Sequence, residues 1–362
     1  MSTLRLGLGT VLVLSLVILG PLHAAPHAQM MDTTDALLAQ KSSAYARAEM
    51  GLFKEALVSA ETAVQTAQDR FGTTHPSVCP YLLNLATLQR TMARYQEAEG
   101  TLRWALALRE KAYGPKHASV REVQGHLAAL YDDLGRWEEA DHFGQMAPDP
   151  LRSSRISLGL GKPAQAEKTL TGFLKGADKG TDPAKVLDGW SLLAKAQWVQ
   201  KRPLEAGKSL QKVLSLAKEA FPGRSMEVGL ALEDLGDLYR SMKQDEKAKS
   251  SYEEGLSILK LFVGVNFEYS ALVPLENLSR AYQAMGQQAQ AKDLLEKALA
   301  TCRQVYDPAH PRIGTLLLSL ARSEKALGAG PQALRHAKEA LGIFQTHFTQ
   351  GHPLVLQARS FE

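Results

Sequence analysis

The residues of this chain that could do chemistry are few, and their spacing points to structure. Four of its ten histidines recur at a fixed interval: His75 and His117 are 42 residues apart, and so are His310 and His352. As residues that recur once per repeat unit, they lie a unit apart, too far from one another for one metal shell. His126 and His142 are 16 residues apart on neighbouring predicted helices and could approach each other. Neither a cysteine nor a second nearby pair completes the four ligands that zinc takes. Cys79 and Cys302 each lie in an apolar helical stretch and read as small buried residues, although an exported protein could oxidise them. The run Leu158-Gly159-Leu160-Gly161-Lys162 has glycines too close together for a phosphate loop. Pro163 stands where Ser or Thr would follow the lysine, and no strand precedes it. GxSxG, HExxH and CxxC are absent from the sequence. The expectation is a protein that is not an enzyme, with no cofactor and no metal.

The histidine interval belongs to a longer pattern. Small residues recur at Ser43-Ala44, Ala86 and Ala128, with 42-residue steps, and again at Ala194, Gly236, Ser279 and Ala321, with steps of 42, 43 and 42. Between the two sets the register breaks, with Ser154 only 26 residues after Ala128. Twelve residues after each small residue stands an alanine: Ala56, Ala98, Ala140, Ala166, Ala206, Ala248, Ala291 and Ala333. Seven further on, Ala63, Ala105, Ala147, Gly255, Ala298 and Ala340 are small again, with Phe173 and Val213 as departures. Small residues at fixed offsets let two helices cross closely. Gly51, Gly135, Gly161, Gly286 and Gly328 fall where the first helix of a pair must end in a left-handed residue. His75-Pro76, Asp182-Pro183, His310-Pro311 and His352-Pro353 place proline in a first helical turn. Phe53, Tyr95 and Trp137 wedge the pair after the turn, with Asp245, Gln288, Gly330, Pro163 and Pro203 replacing the aromatic elsewhere.

This pattern resembles the tetratricopeptide repeat, in the 42-residue form of kinesin light chains, over about residues 33–349. The resemblance implies an all-α fold, a right-handed superhelical solenoid of antiparallel helix pairs: eight pairs and a C-terminal capping helix. It also implies a concave face lined by the first helix of each pair. Asn84 and Asn277 precede the Leu-small pair, where the family carries an asparagine that can bond a peptide main chain; either could equally satisfy its own helix. On the presumed inner offsets lie Arg90, Glu122, Asp132 and Asp133, then Lys195, Trp198, Asp237, Arg240, Glu276, Arg280, Arg322 and Lys325. The partner-binding candidates are therefore Asn84, Arg90, Lys195, Trp198, Arg240, Asn277, Arg280, Arg322 and Lys325. Arginine beside an aromatic suits a binding hot spot, and the more basic second half suits an acidic or carboxylate-ended partner; a solvated face of mixed charge is the alternative. Trp104, Trp137 and Trp190 read as core, Trp198 as projecting into the groove. The Lys/Asn clamp of the family's chaperone-tail binders is not reproduced.

Residues 1–24 read as a secretory signal peptide. Leu6–Gly20 is a 15-residue apolar run broken by Pro21 and followed by a small-residue cleavage site near Ala24 and Ala25. An uncleaved anchor is the alternative, and the one expected route to a membrane. Residues 25–32 are a linker, 33–147 a first sub-array, 148–152 a break, 153–349 a second sub-array and 350–362 a cap. Cleavage removes Arg5, leaving 41 basic against 38 acidic residues, +3 instead of +4. So small an excess, and export, argue against nucleic acid. The expected function is a periplasmic or secreted scaffold for protein or peptide partners in assembling an envelope or secretion complex, with no small-molecule substrate. The alternatives are a self-assembling structural protein and an accessory subunit of an enzyme.

Overall fold

The computed structural model describes residues 41–361 apart from positions 49, 179, 224 and 263–271. The signal-peptide and linker readings, residues 1–32, lie outside the described residues. Helix α1 (41–48) pairs with α2 (Phe53–Phe71). Then follow α3 (Cys79–Thr91) with α4 (Tyr95–Tyr113), α5 (Ala118–Asp133) with α6 (Trp137–Met146), and α7 (Pro150–Gly159) with α8 (Pro163–Gly176). The second half has α9 (Pro183–Val199) with α10 (Pro203–Ala220), α11 (Met226–Ser241) with α12 (Asp245–Leu259), α13 (Leu272–Ala284) with α14 (Gln288–Val305), and α15 (Pro311–Ala326) with α16 (Gly330–His347). Helix α17 (Pro353–Arg359) closes the C-terminal end. Among the described residues every regular element is helical, so the protein is an all-α solenoid of eight pairs and a cap.

The small-residue columns explain the pairing. Ala44, Ala128, Ser154 and Ala321 are fully buried, and so are Ala56, Ala98, Ala140, Ala166 and Ala291. Glycine in these columns marks the closest approaches: a Cβ on Gly236 would sit 2.6 Å from the Tyr252 ring, and one on Gly255 would sit 3.2 Å from the Gly229 carbonyl oxygen. Each turn inside a pair contains one left-handed residue. Five are the expected glycines; the other three are Ala93, Lys201 and Lys243, with φ of 57°, 61° and 58°, a conformation that strains a side-chain-bearing residue.

The recurring histidines cap the first helices. His75, His117, His310 and His352 accept through Nδ1 from the backbone N–H two residues on, which requires that nitrogen to be unprotonated. Each ring stacks on the aromatic four residues before it: Phe71, Tyr113, Tyr306 and Phe348. Where histidine is absent, Asp149, Asp182 and Ser225 cap instead.

Successive pairs stack without interruption, including across residues 148–152, where α7 packs on both α5 and α6. The solenoid then closes on itself. Phe53, the first residue of α2, stacks on Tyr306 at 5.7 Å between ring centroids. Lys54 and Arg94 reach Asp307 at 3.7 and 3.8 Å. His310 Nε2 lies 3.0 Å from the Thr91 carbonyl oxygen, Tyr95 meets the edge of His347, and His352 lies over Gly135. In each contact the turn region of one unit meets the end of, or the loop after, the unit five or six places on. Phe53 and Met92 are buried in the same apolar cluster as Leu316, Leu317 and Phe344, so this seam carries core as well as polar contacts.

Candidate binding site

The first helices line the inside of this closed turn. Consecutive first helices touch each other, as in α3–α5, α5–α7, α7–α9 and α11–α13, because the inner circumference is the shorter one. Three positions of each first helix recur on that wall, two residues before the small residue, one after it and four after it, a row at i, i+3 spacing. Ion pairs lace one helix to the next. Arg90 lies 3.4 Å from Asp133, and Arg155 lies 3.4 Å from Asp132 and 3.1 Å from Asp188. Arg280 lies 3.0 Å from Glu233 and 3.8 Å from Asp237, and Arg312 grips Glu276 with two bonds of 2.7 and 3.0 Å.

Packing of one first helix against the next desolvates the charges on this wall. Burial pushes the Asp132 and Asp234 carboxyls up to about 6, and raises Asp133 and Asp188. It raises Glu233 against the pull of Arg280. Burial works the other way on bases, lowering Lys195, His126, Arg152 and Arg322.

Sequence comparison matches a profile of the tetratricopeptide repeat at residues 35–111, 186–260 and 270–346. The chain belongs to the tetratricopeptide-repeat (TPR) family. The unmatched stretch between the first two segments, 112–185, holds TPR units three and four, where the register breaks. No curated protein matches the chain in sequence. Among solved structures, the apo form of the quorum sensor NprR from B. thuringiensis is similar over 87% of this chain and 89% of its own, at 14% identity and a TM-score of 0.56. BtubC (BKLC) from P. vanneervenii is 20% identical over 64% of this chain and 93% of its own, with a TM-score of 0.42. A kinesin light chain protein of nearly identical TPR-like repeats from Podosopora anserina is 21% identical over 54% and 93%, with a TM-score of 0.42.

The nine candidate residues are distributed around the TPR lumen and do not converge. Asn84 is buried, 3% exposed, and its Oδ1 is sealed from solvent without a hydrogen-bond partner, so it does not offer that oxygen to a peptide. Asn277 Nδ2 donates to Val273 O on its own helix, the helix-satisfying role. Trp198 is half-buried against the apolar cluster of units five and six, so it packs as Trp190 does instead of standing free as an anchor. Arg280 is held between Glu233 and Asp237 and works as a structural tie. Arg322 donates to Gln357, and the Lys325 ammonium lies 5.2 Å from the centre of the Phe361 ring, so both meet the cap. Arg240 is exposed, 3.7 Å from Asp237. Lys195 has no ion pair among the described residues and stands in the fields of Asp132 and Arg155. Arg90 joins Arg152 and His126 around a cavity of about 660 Å³.

Sequence reasoning did not assign Arg152, Arg155, Asp188 or Asp234 to the lumen. The signal was available in the same columns: Arg152 and Asp234 stand two residues before the small residue, and Arg155 one after. The shortened fourth unit hid two of them, because its irregular length makes its register the hardest to read. Cys79 and Cys302 are buried free thiols; the Cys79 thiol faces the Ala105 carbonyl oxygen at 3.6 Å, and burial pushes Cys302 up to about 12. Among the described residues no cluster of three or more His, Cys, Asp or Glu could hold a metal ion, and no helix is long and apolar enough to cross a membrane.

Proposed function

We propose that this TPR protein is an interaction scaffold that receives an extended segment of a protein partner along its lumen. One observation carries the reading. Arg152 and Lys195 line the wall without an ion pair among the described residues, and Arg322 has Gln357 alone, while their neighbours are paired. Desolvated cations whose counter-charges act only through space are costly in a free protein, and an acidic or carboxylate-bearing segment would supply contact partners. Neutral main-chain contacts would add to this along the length of the wall. The apolar run at residues 6–20 supports export, hence a role in assembling an envelope or secretion complex.

The test is capture from envelope extracts by the full chain beside a Lys195→Gln/Arg322→Gln variant with unchanged circular dichroism. One partner retained by the wild type and lost by the variant supports the reading. Equal capture by both places binding elsewhere and refutes the lumen assignment. Self-association seen by light scattering, with no partner captured, would favour the self-assembling alternative. N-terminal sequencing of the exported protein tests cleavage near Ala24 and Ala25; an intact N-terminus on a membrane-bound chain refutes it.

A further inference from the structure

The register break has a structural result. Helix α6 ends after 10 residues, where α2 and α4 run for 19. The connection through Ala147, Pro148 and Asp149 therefore lies beside the first half of α5, and an open cavity of about 660 Å³ remains between it, α5 and the end of α3. Its floor is made of Gly125 and Ala129. Ala129 occupies the column that carries Arg155, Lys195, Asp237, Arg280 and Arg322 in later units, so the space exists because a long side chain is missing there.

The rim is basic: Arg90, Arg121 and Arg152, with His126 among them. The two acids that share it both have hydrogen-bond partners, and the Asp149 charge acts on Arg152 only through space. Glu122 accepts from Arg109 Nη1 at 2.6 Å, and Asp149 Oδ1 accepts the Arg152 backbone N–H at 2.8 Å. Arg90 has Asp133 at 3.4 Å, and Arg121 donates to the Lys116 carbonyl oxygen. That leaves Arg152. Its guanidinium makes no side-chain ion pair among the described residues, and one of its nitrogens lies 3.3 Å from where a Cβ on Gly125 would stand. It is laid across a glycine of α5, at the cavity, with donors unspent. His126 beside it is held below the ordinary histidine value, first by burial and then by Arg90, so in the free protein it is neutral and presents one N–H.

We propose that this cavity is an anion-binding subsite, taking a carboxylate or phosphate group on Arg152 and Arg90 with His126 as a third donor. A guanidinium fork matches either group. An arriving anion offsets the desolvation that Arg152 bears in the free protein. The identity of the polypeptide carrying the anion rests on the lumen reading above; the subsite itself does not.

The test follows the His126 ring resonances of the full chain during titration with inorganic phosphate, N-acetyl-Gly-Gly and its C-terminal amide. Expected are saturable shifts, a rise in the His126 pKa on binding, and binding at least about tenfold weaker in Arg152→Gln. Arg335→Gln, at an exposed position of α16, should leave it unchanged. Binding of N-acetyl-Gly-Gly but not its amide identifies a carboxylate site; binding of phosphate alone identifies a phosphate site. If Arg152→Gln folds poorly, Ala129→Leu fills the floor and should abolish binding. No saturable shift at about millimolar anion, or equal affinity in the folded variants, overturns the proposal. Intact partner capture without anion binding sinks this subsite alone; anion binding without partner capture sinks the lumen reading alone.

Discussion

Replacing Phe53 by alanine should open the ring without unfolding the units. The Phe53 side chain is 5% exposed, stacks on Tyr306 at 5.7 Å, and shares a buried cluster with residues of units seven and eight. Burying a phenylalanine contributes about 1.5–3 kcal/mol, and an aromatic pair adds about 0.5–1.5 kcal/mol. Together these give about 2–4.5 kcal/mol for closure, or a shift in the closed-to-open ratio of about 30- to 2,000-fold. The polar seam contacts that remain are exposed pairs to Asp307, worth about 0–1 kcal/mol each, and the bond between His310 and Thr91. The assay is pulsed dipolar spectroscopy between spin labels at exposed Glu61 on α2 and Gln304 on α14. The parent should give one narrow distance; Phe53→Ala should add a longer, broader population while far-ultraviolet circular dichroism stays unchanged. An unchanged distance distribution, with closure costing less than about 0.5 kcal/mol, would refute the claim that this stack holds the seam.

Three further outcomes follow from single side chains. Burial holds His310 down to about 4 from an ordinary value of about 6.5. The unfolded chain therefore binds the proton first. The stability linked to His310 is full above about pH 6.5 and falls by up to about 3 kcal/mol as the pH drops through about 4. His310→Asn, which keeps a cap without titrating, should flatten that part of the melting-temperature profile; an unaltered slope refutes the assignment. Arg280→Ala should lower stability by about 3–5 kcal/mol, because it strands the buried Glu233 carboxyl, and urea denaturation that moves by less than about 1 kcal/mol would restore Arg280 as a binding residue. Lys243→Gly should raise stability by about 0.5–1 kcal/mol by relieving a left-handed backbone, whereas Gly286→Ala should lower it by about 1 kcal/mol. Chemical denaturation of the two variants gives the signs, and equal signs would refute the strain argument.

Most of the fold was legible in the sequence because it is local. The partners that make a helix pair lie within about 20 residues of each other, so Ala86, Ala98 and Ala105 read as one packing column from their spacing along the chain. The left-handed turns and the histidine caps are likewise decided by residues two to four positions apart. The site was legible only as a face. Offsets from the small residue identified Arg90, Lys195 and Arg322 as inner residues, but not which charges are paired. Pairing depends on the neighbouring first helix, and at Arg155 on two of them.

The amino-acid sequence alone therefore determined the repeat, the pairing of helices and the row of side chains that faces inward. Only the tertiary structure decided the closure of Phe53 on Tyr306, a residue at the far end of the chain. It also decided the cavity left where α6 stops short, and left Arg152 there without a side-chain ion pair among the described residues. The physical reason is accumulation. Each junction adds a small rotation, and whether unit one meets the loop after unit seven depends on the sum of them all. No single helix pair encodes that sum.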